Sequence, residues 1–90
     1  MRLSNKVALI TGAARGLGAM IARRFQEEGA LVFLGDIRVE EGESMVRELG
    51  ESVFLKLDVT SEENWKTAFA AILARAGRLD ILVNNAGINI

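Results

Sequence analysis

The 90-residue sequence contains no cysteine, no histidine, no tyrosine and no proline. Without cysteine there is no disulfide framework, no thiolate nucleophile and no cysteine-based metal site. Without histidine the sequence also lacks the commonest metal ligand and the commonest general base. We therefore expect these residues to contain neither a metal site nor a catalytic residue.

The sequence also lacks any strong excess of charge and any long apolar run. Its 11 basic and 12 acidic residues leave a net charge of −1, so neither nucleic acid nor a membrane is expected as a partner. The first apolar run, residues 7–10, is too short for the core of a signal peptide, which favours a cytoplasmic location. Half of the residues are hydrophobic, which is typical of one small globular domain or part of one.

Short apolar runs alternate with amphipathic segments along the whole sequence. The runs predict strands over 7–10, 31–34, 53–57 and 80–83, and the amphipathic segments predict helices over 16–28, 39–49 and 60–76. This alternation predicts an α/β fold with a Rossmann-type parallel sheet of strand order 3-2-1-4, an incomplete doubly wound fold. Right-handed crossovers place the first two helices on one face and the third on the other.

Two local patterns predict how the first and third helices are built. Leu17, Met20, Ile21 and Phe25 share one face of the first helix, which we expect to be buried. The third helix is expected to begin with a capping box in which Thr60 is the N-cap and Glu63 is at N3. Its expected apolar stripe comprises Trp65, Phe69, Ile72, Leu73 and Ala76.

A glycine-rich loop joins the first strand to the first helix. We expect Gly12 to allow a tight turn, Gly16 to open the helix N-terminus to a phosphate, and Gly18 to let the helix pack closely. A loop that merely turns is the alternative. Arg15 either reaches a phosphate or is a solvated charge. The Gly-Lys-Ser/Thr of a triphosphate-binding P-loop is missing, so the loop predicts a site for the pyrophosphate of a dinucleotide.

Polar residues follow the other strands at the same edge of the sheet. Asp36 lies eighteen residues beyond Gly18, close to the spacing of a carboxylate that binds the adenosine ribose. Such a carboxylate repels a 2′-phosphate, which favours NAD over NADP, although Arg38 nearby is evidence for NADP. A turn residue is the alternative for Asp36, a helix cap for Asp58, and a turn residue for Asn85.

Three motifs together resemble the short-chain dehydrogenase/reductase family. Residues 11–18 have its Thr-Gly-x-x-x-Gly-x-Gly form, Asp58-Val59 matches its adenine-side motif, and residues 84–87 read Asn-Asn-Ala-Gly. The resemblance implies a nicotinamide-dependent oxidoreductase that moves a hydride between its cofactor and an alcohol or carbonyl. The cofactor-binding residues that it implies are Gly12, Arg15, Gly16, Leu17, Gly18, Asp36, Ile37, Asp58, Val59, Asn85, Ala86 and Gly87.

The sequence departs from this family in one respect. Family members have a serine, a Tyr-x-x-x-Lys pair and an asparagine after the Asn-Asn-Ala-Gly motif, whereas these 90 residues contain no tyrosine. We therefore interpret residues 1–90 as the N-terminal part of a single NAD(P)-binding Rossmann domain. We expect it to be inactive alone, with an exposed apolar strand edge that promotes self-association. A small alcohol or carbonyl substrate and a homo-oligomer are expected only for a longer form.

Two alternatives remain open from the sequence. One is a non-catalytic nucleotide-binding or assembly module, which would have the same site. The other is a Rossmann fold for a different adenine nucleotide such as a methyl donor, against which the glycine spacing argues.

Overall fold

The computed structural model describes residues 2–87. Every predicted strand and helix is present, with bounds that differ from the predicted ones by a few residues at most. In chain order they are β1 (Val7–Thr11), α1 (Gly16–Glu27), β2 (Leu31–Asp36), α2 (Val39–Leu49), β3 (Ser52–Lys56), α3 (Glu62–Ala76) and β4 (Ile81–Val83), followed by a 3₁₀ turn, Asn85–Gly87.

The four strands form one parallel sheet in the order β3-β2-β1-β4, which confirms the predicted topology. β1 lies between β2 and β4, and all five of its residues are buried. β2 is nearly as well buried, because β3 covers its other edge. Since parallel strands align their carboxyl ends, the loops after all four strands meet at one edge of the sheet.

The two faces of the sheet are covered by different helices, as predicted. One core cluster combines α1 and α2 with residues such as Ile10, Val32 and Leu34. The other combines α3 with Leu9, Phe33 and Leu57. Alternate strand residues therefore point to opposite faces, and each face has an apolar core of its own.

The predicted buried face of α1 is wrong in part. Ile21 and Phe25 pack against the core, but Leu17 and Met20 are 54% and 68% exposed. The buried positions of α1 are instead the small residues Gly18, Ala19 and Ala22. They allow the helix axis to lie close to the sheet, so the larger apolar side chains lie at the margin or in solvent.

The predicted capping box of α3 is also wrong. Ser61 is the N-cap, and its hydroxyl accepts a hydrogen bond from the backbone N–H of Asn64 at 3.1 Å. Thr60 instead donates its backbone N–H and its hydroxyl to Asp58, at 2.9 and 2.7 Å. A serine that follows a threonine offers the same cap one residue later, and the turn at Asp58 decides between them.

The stripe predicted for α3 is only partly buried. Ile72 is fully buried and Trp65 packs against the same core, whereas Leu73 is 54% exposed and Phe69 lies at the surface. Ala68, which the stripe omitted, is buried. As in α1, a small residue occupies the closest approach of the helix to the sheet.

The amino edge of the sheet is held by Asp80. Its Oδ2 accepts the N–H of Val7 at 2.7 Å, and its own N–H donates to the carbonyl of Val7 at 2.9 Å. Arg78 donates from Nε to the same Asp80 oxygen at 3.0 Å and from Nη2 to the carbonyl of Asn5. The N–H of Val7 first, and then Arg78, lower the pKa of Asp80 below its usual value. β4 is thereby joined to the beginning of β1.

Candidate functional site

A cavity of about 430 Å³ opens at the carboxyl edge of the sheet. Residues from all four strand-following loops line it, as expected for the loops of a parallel sheet. They are Gly12, Arg15, Gly16, Asp36, Ile37, Arg38, Leu57, Asp58, Val59, Asn85 and Ala86.

The glycine loop forms the floor of this cavity. Gly12 and Gly16 both have φ near +62°, a left-handed conformation that glycine adopts without strain. Among residues 2–87, apart from its chain neighbours and the backbone of its own helix, no heavy atom lies within 4 Å of where a Cβ on Gly16 would be, so the backbone there is open to an incoming group. A Cβ on Gly18 would lie 2.0 Å from the carbonyl oxygen of Gly12, so only glycine permits this contact.

The N-terminus of α1 faces this loop without a cap. Its N-cap residue, Arg15, is extended and makes no side-chain cap hydrogen bond, and the first turn contains no acidic residue. The first N–H groups of an α-helix lack partners within the helix, and the helix dipole adds positive potential there. The structure therefore provides an anion-binding position beside Gly16.

Asp36 links β2 to the glycine loop. It is 4% exposed, and its Oδ2 accepts the N–H of Ala14 at 3.0 Å. Its Oδ1 accepts the N–H of Arg38 at 3.0 Å and Nη1 of the same arginine at 3.3 Å. An ionised carboxylate has about four acceptor positions, and hydrogen bonds from residues 2–87 occupy three of them, which leaves one position on Oδ2.

Two arginines line the cavity, and one glutamate in the first turn of α2 lies near both. Arg38 Nε is 3.8 Å from Oε1 of Glu41, and Arg15 Nη1 is 3.9 Å from Oε2 of Glu41. All three side chains are roughly half exposed, so solvent weakens these ion pairs. Asp36 and Asp58 line the same cavity, so these two arginines and three carboxylates have a summed formal charge of −1.

The loop after β4 is hydrogen-bonded to the end of β1. The buried hydroxyl of Thr11 donates to Oδ1 of Asn84 and accepts the N–H of Ala86, both at 3.0 Å. Asn85 donates its side-chain amide to the carbonyl of Gly12 at 3.3 Å. Asn85 therefore does lie in a turn, as the alternative interpretation expected. The same hydrogen bonds hold residues 84–86 against the glycine loop.

The loop after β3 forms the opposite wall. Asp58 holds the turn through Thr60, whose hydroxyl first and backbone N–H second lower the pKa of Asp58 below its usual value. Trp65 donates Nε1–H to the carbonyl of Val59 at 2.9 Å and packs beside Phe69, so it supports this loop from beneath. The cap interpretation of Asp58 is therefore wrong, because Ser61 caps α3 while Asp58 holds the turn that precedes it. Asp58 also lines the cavity.

Most of the predicted cofactor-binding residues meet in this cavity. The exceptions are Gly18, which lies below the floor, Leu17, which is largely exposed, and Gly87, which ends the 3₁₀ turn. The prediction omitted Leu57, which β3 places in the wall, and considered Arg38 only as evidence for NADP. Leu57 is the last residue of the predicted strand 53–57, so including the carboxyl-terminal residue of each predicted strand would have found it.

Residues 2–87 contain neither a cluster of metal ligands nor a helix that could span a membrane. None of their acidic side chains is grouped in threes at a position that could hold a metal ion. Over the same residues, no helix combines the length and the apolar character that crossing a membrane requires.

The strand order and the position of the cavity define a Rossmann-type α/β protein, a class that binds its ligands at this edge of the sheet. The sequence model described as short chain dehydrogenase matches residues 6–90. The chain belongs to the short-chain dehydrogenase family.

Individual relatives agree with this assignment. The chain is 48% identical to a 2,5-dichloro-2,5-cyclohexadiene-1,4-diol dehydrogenase of Sphingobium indicum, over 97% of this chain and 36% of that protein. It is 47% identical to a 3-beta-hydroxysteroid dehydrogenase of Comamonas testosteroni, over 97% and 35%. A 3-ketoacyl-(acyl-carrier-protein) reductase from Brucella melitensis, crystallised with NADH, matches at 41% identity with a TM-score of 0.91, over 96% and 36%. The chain thus spans about a third of the length of these relatives.

Proposed function

We propose that residues 1–90 are the N-terminal, dinucleotide-binding part of an NAD-dependent short-chain oxidoreductase that acts on an alcohol/carbonyl pair. The observation that supports this most is the uncapped α1 N-terminus, which opens at Gly16 into a cavity lined by the loops after all four strands. The solved reductase that carries NADH has the same fold over 96% of this chain, which supports a nicotinamide dinucleotide as the ligand.

The residues of the cavity divide into three proposed roles. The pyrophosphate binds at the N–H groups beside Gly12 and Gly16, where the helix dipole favours negative charge. The adenosine ribose donates a hydroxyl to the free acceptor position on Oδ2 of Asp36. The adenine lies against the cavity wall formed by the loops after β2 and β3. The residues of that wall are Ile37, Leu57, Asp58 and Val59.

NAD is proposed over NADP because of the charges around the ribose position. A buried carboxylate at Asp36 would repel a 2′-phosphate. Arg38, which could attract that phosphate, is already paired with Asp36 at 3.3 Å. The cation therefore compensates for a protein carboxylate rather than for a ligand.

The nicotinamide ring of the bound cofactor supplies hydride transfer. Residues 1–90 contribute binding and orientation, and they include no tyrosine or histidine to move the proton of the alcohol. We therefore propose that these residues alone turn over no substrate. In the longer form we propose a small alcohol or carbonyl substrate, a homo-oligomer and a cytoplasmic location.

Two glycine substitutions test the phosphate position. Gly16→Asp adds a negative charge at the proposed pyrophosphate position. Gly50→Asp is its control, because both glycines have positive φ and open space where a Cβ would lie, but Gly50 follows α2 away from the cavity. We expect Gly16→Asp to weaken NADH binding at least about tenfold and Gly50→Asp to change it less than about twofold, measured by calorimetric titration.

Equal losses in the two variants would contradict the proposed phosphate position. A chain that binds S-adenosylmethionine more tightly than NADH would favour the methyl-donor alternative. Oxidation of any alcohol by NAD on these residues alone would contradict the proposed absence of catalysis.

A further inference from the structure

The two arginines at the cavity, Arg15 and Arg38, are the cations placed to attract an additional phosphate on a bound dinucleotide. Arginine binds phosphate well because its guanidinium offers several donors in one plane. The cavity would therefore accept a phosphorylated ribose if these cations were not compensated. Asp36 neutralises the positive charge of Arg38 only in part, because Oδ1 of Asp36 faces Arg38 while Oδ2 accepts the N–H of Ala14.

Glu41 faces both cations at once. Its Oε1 lies 3.8 Å from Nε of Arg38, and its Oε2 lies 3.9 Å from Nη1 of Arg15. Its backbone position in the first turn of α2 also suits a negative charge, since the positive end of the helix dipole is there. Glu41 itself does not line the cavity, so it acts on a ligand through the two arginines and through its field.

We propose that Glu41 is a specificity-determining residue that lowers the affinity of this site for dinucleotides with a 2′-phosphate. This inference rests on the proposed dinucleotide site. With Glu41 present, the two arginines face three carboxylates, those of Asp36, Asp58 and Glu41, and their summed charge is −1. Without the charge of Glu41 the sum is zero. Arg15 then has no ion pair within residues 2–87, and Arg38 is paired with Asp36 alone.

Glu41→Gln tests the inference, because it removes the charge and nearly preserves the shape. Glu40→Gln is the matched control, since it removes the same charge from the same turn of α2, and within residues 2–87 no ion pair involves Glu40. Dissociation constants for NADPH and NADH are measured for both variants and for the unchanged chain, at low and at high salt.

We expect Glu41→Gln to tighten NADPH binding about fivefold while the NADH constant changes less than about twofold. Glu40→Gln should change both constants less than about twofold. The gain for NADPH should shrink at about 0.5 M salt, because these side chains are exposed to solvent. Adding Arg38→Gln to Glu41→Gln should remove most of the gain, because the freed cation is then gone.

Two results would overturn the inference. One is that Glu41→Gln and Glu40→Gln change NADPH binding equally, and the other is that Glu41→Gln tightens NADPH and NADH equally. In either case the unchanged chain still binds NADH, and the proposed function stands. If the unchanged chain binds neither dinucleotide, the proposed function itself fails, and the role of Glu41 fails with it.

Discussion

The helices pack more closely against one face of the sheet than against the other. On the face covered by α1 and α2, the helices approach through Gly18 and Gly42, where a Cβ would lie about 2 Å from another atom. On the face covered by α3, the helix approaches through Ala68 and Ile72 and leaves Leu73 more than half exposed. Leu82 of β4 is 48% exposed as well.

This difference follows from what each face supports. The closely packed face positions the N-terminus of α1, and a helix that serves as an anion site must be fixed to within a fraction of an ångström. The α3 face supports the wall formed by the loop after β3 through one hydrogen bond from Trp65 to Val59. Close packing is therefore concentrated where the loop geometry depends on it, and apolar side chains remain exposed where it does not.

Gly18→Ala should have the largest effect on stability. The new Cβ would meet the backbone of Gly12, which cannot move without deforming the glycine loop. We expect a loss of about 3 kcal/mol in the free energy of unfolding together with loss of NADH binding. Urea unfolding and calorimetric titration measure the two effects.

The control for this change is Gly42→Ala, where the Cβ would meet the ring of half-buried Phe54, a side chain that can rotate away. Alanine also favours the helix over glycine by about 1 kcal/mol, which offsets part of the strain. We expect a net loss of about 1 kcal/mol and unchanged binding. Equal losses at the two positions would contradict the inference that the contact between Gly18 and the backbone of Gly12 matters more than the contact of Gly42 with Phe54.

Ile72→Ala should have the next largest effect. It measures how much the apolar core on the α3 face contributes to the free energy of unfolding. Ile72 is fully buried, so its truncation should cost about 2 kcal/mol, at the lower end for such changes because partly exposed neighbours can close the space. Leu73→Ala, one residue later on the exposed side, should cost less than about 0.5 kcal/mol. Thermal unfolding of both variants tests this, and a larger loss for Leu73→Ala would show that its exposed face is covered in solution.

Asp80→Asn should have the smallest effect, and the effect should depend on pH. Asp80 has a lowered pKa in the folded chain, because Val7 and Arg78 donate to it, and an ordinary pKa of 3.8 when unfolded. Its charge therefore stabilises the fold above pH 3.8, and this contribution disappears as the pH falls through the folded pKa. Asp80→Asn should thus be less stable than the unchanged chain at neutral pH, with the gap closing as the pH falls below 3.8 and through the lowered pKa of the folded chain.

Urea unfolding at several pH values measures that gap. Arg78→Gln removes the second of these two contributions together with the hydrogen bond to the carbonyl of Asn5. The pH-dependent part of its gap should therefore be smaller and should close in the same direction. A gap for Asp80→Asn that stays constant from neutral pH down to the acid limit of the fold would contradict a role for the charge.

The topology was predictable because it depends on short-range patterns. Four apolar runs alternating with amphipathic segments determine a parallel sheet, and crossover handedness then determines its order. Most of the residues that line the cavity were predictable for the same reason, since they lie at the carboxyl end of a strand or in the loop that follows it. Asp36 and Gly16 come together although they lie far apart in the sequence.

What could not be predicted depends on distances between segments. The apolar face of α1 was misassigned because hydrophobicity favours Leu17 and Met20, whereas close packing selects the small residues Ala19 and Ala22. Arg38 and Glu41 have a local i,i+3 spacing, but the position of Glu41 beside Arg15 depends on how α2 meets the glycine loop. The choice of Ser61 over Thr60 as the cap depends on the turn at Asp58.

The hydrogen bonds of Thr11 to residues 84 and 86 have a consequence for the order of folding. β1, β2 and β3 are joined by short connections, whereas β4 must close a loop of more than seventy residues onto β1. Closure of a long loop carries a larger entropic cost, so we expect β4 to join a sheet that the first three strands have already begun. The glycine loop reaches its final geometry only at that step, so a nucleotide would recognise the late native state and not its precursor.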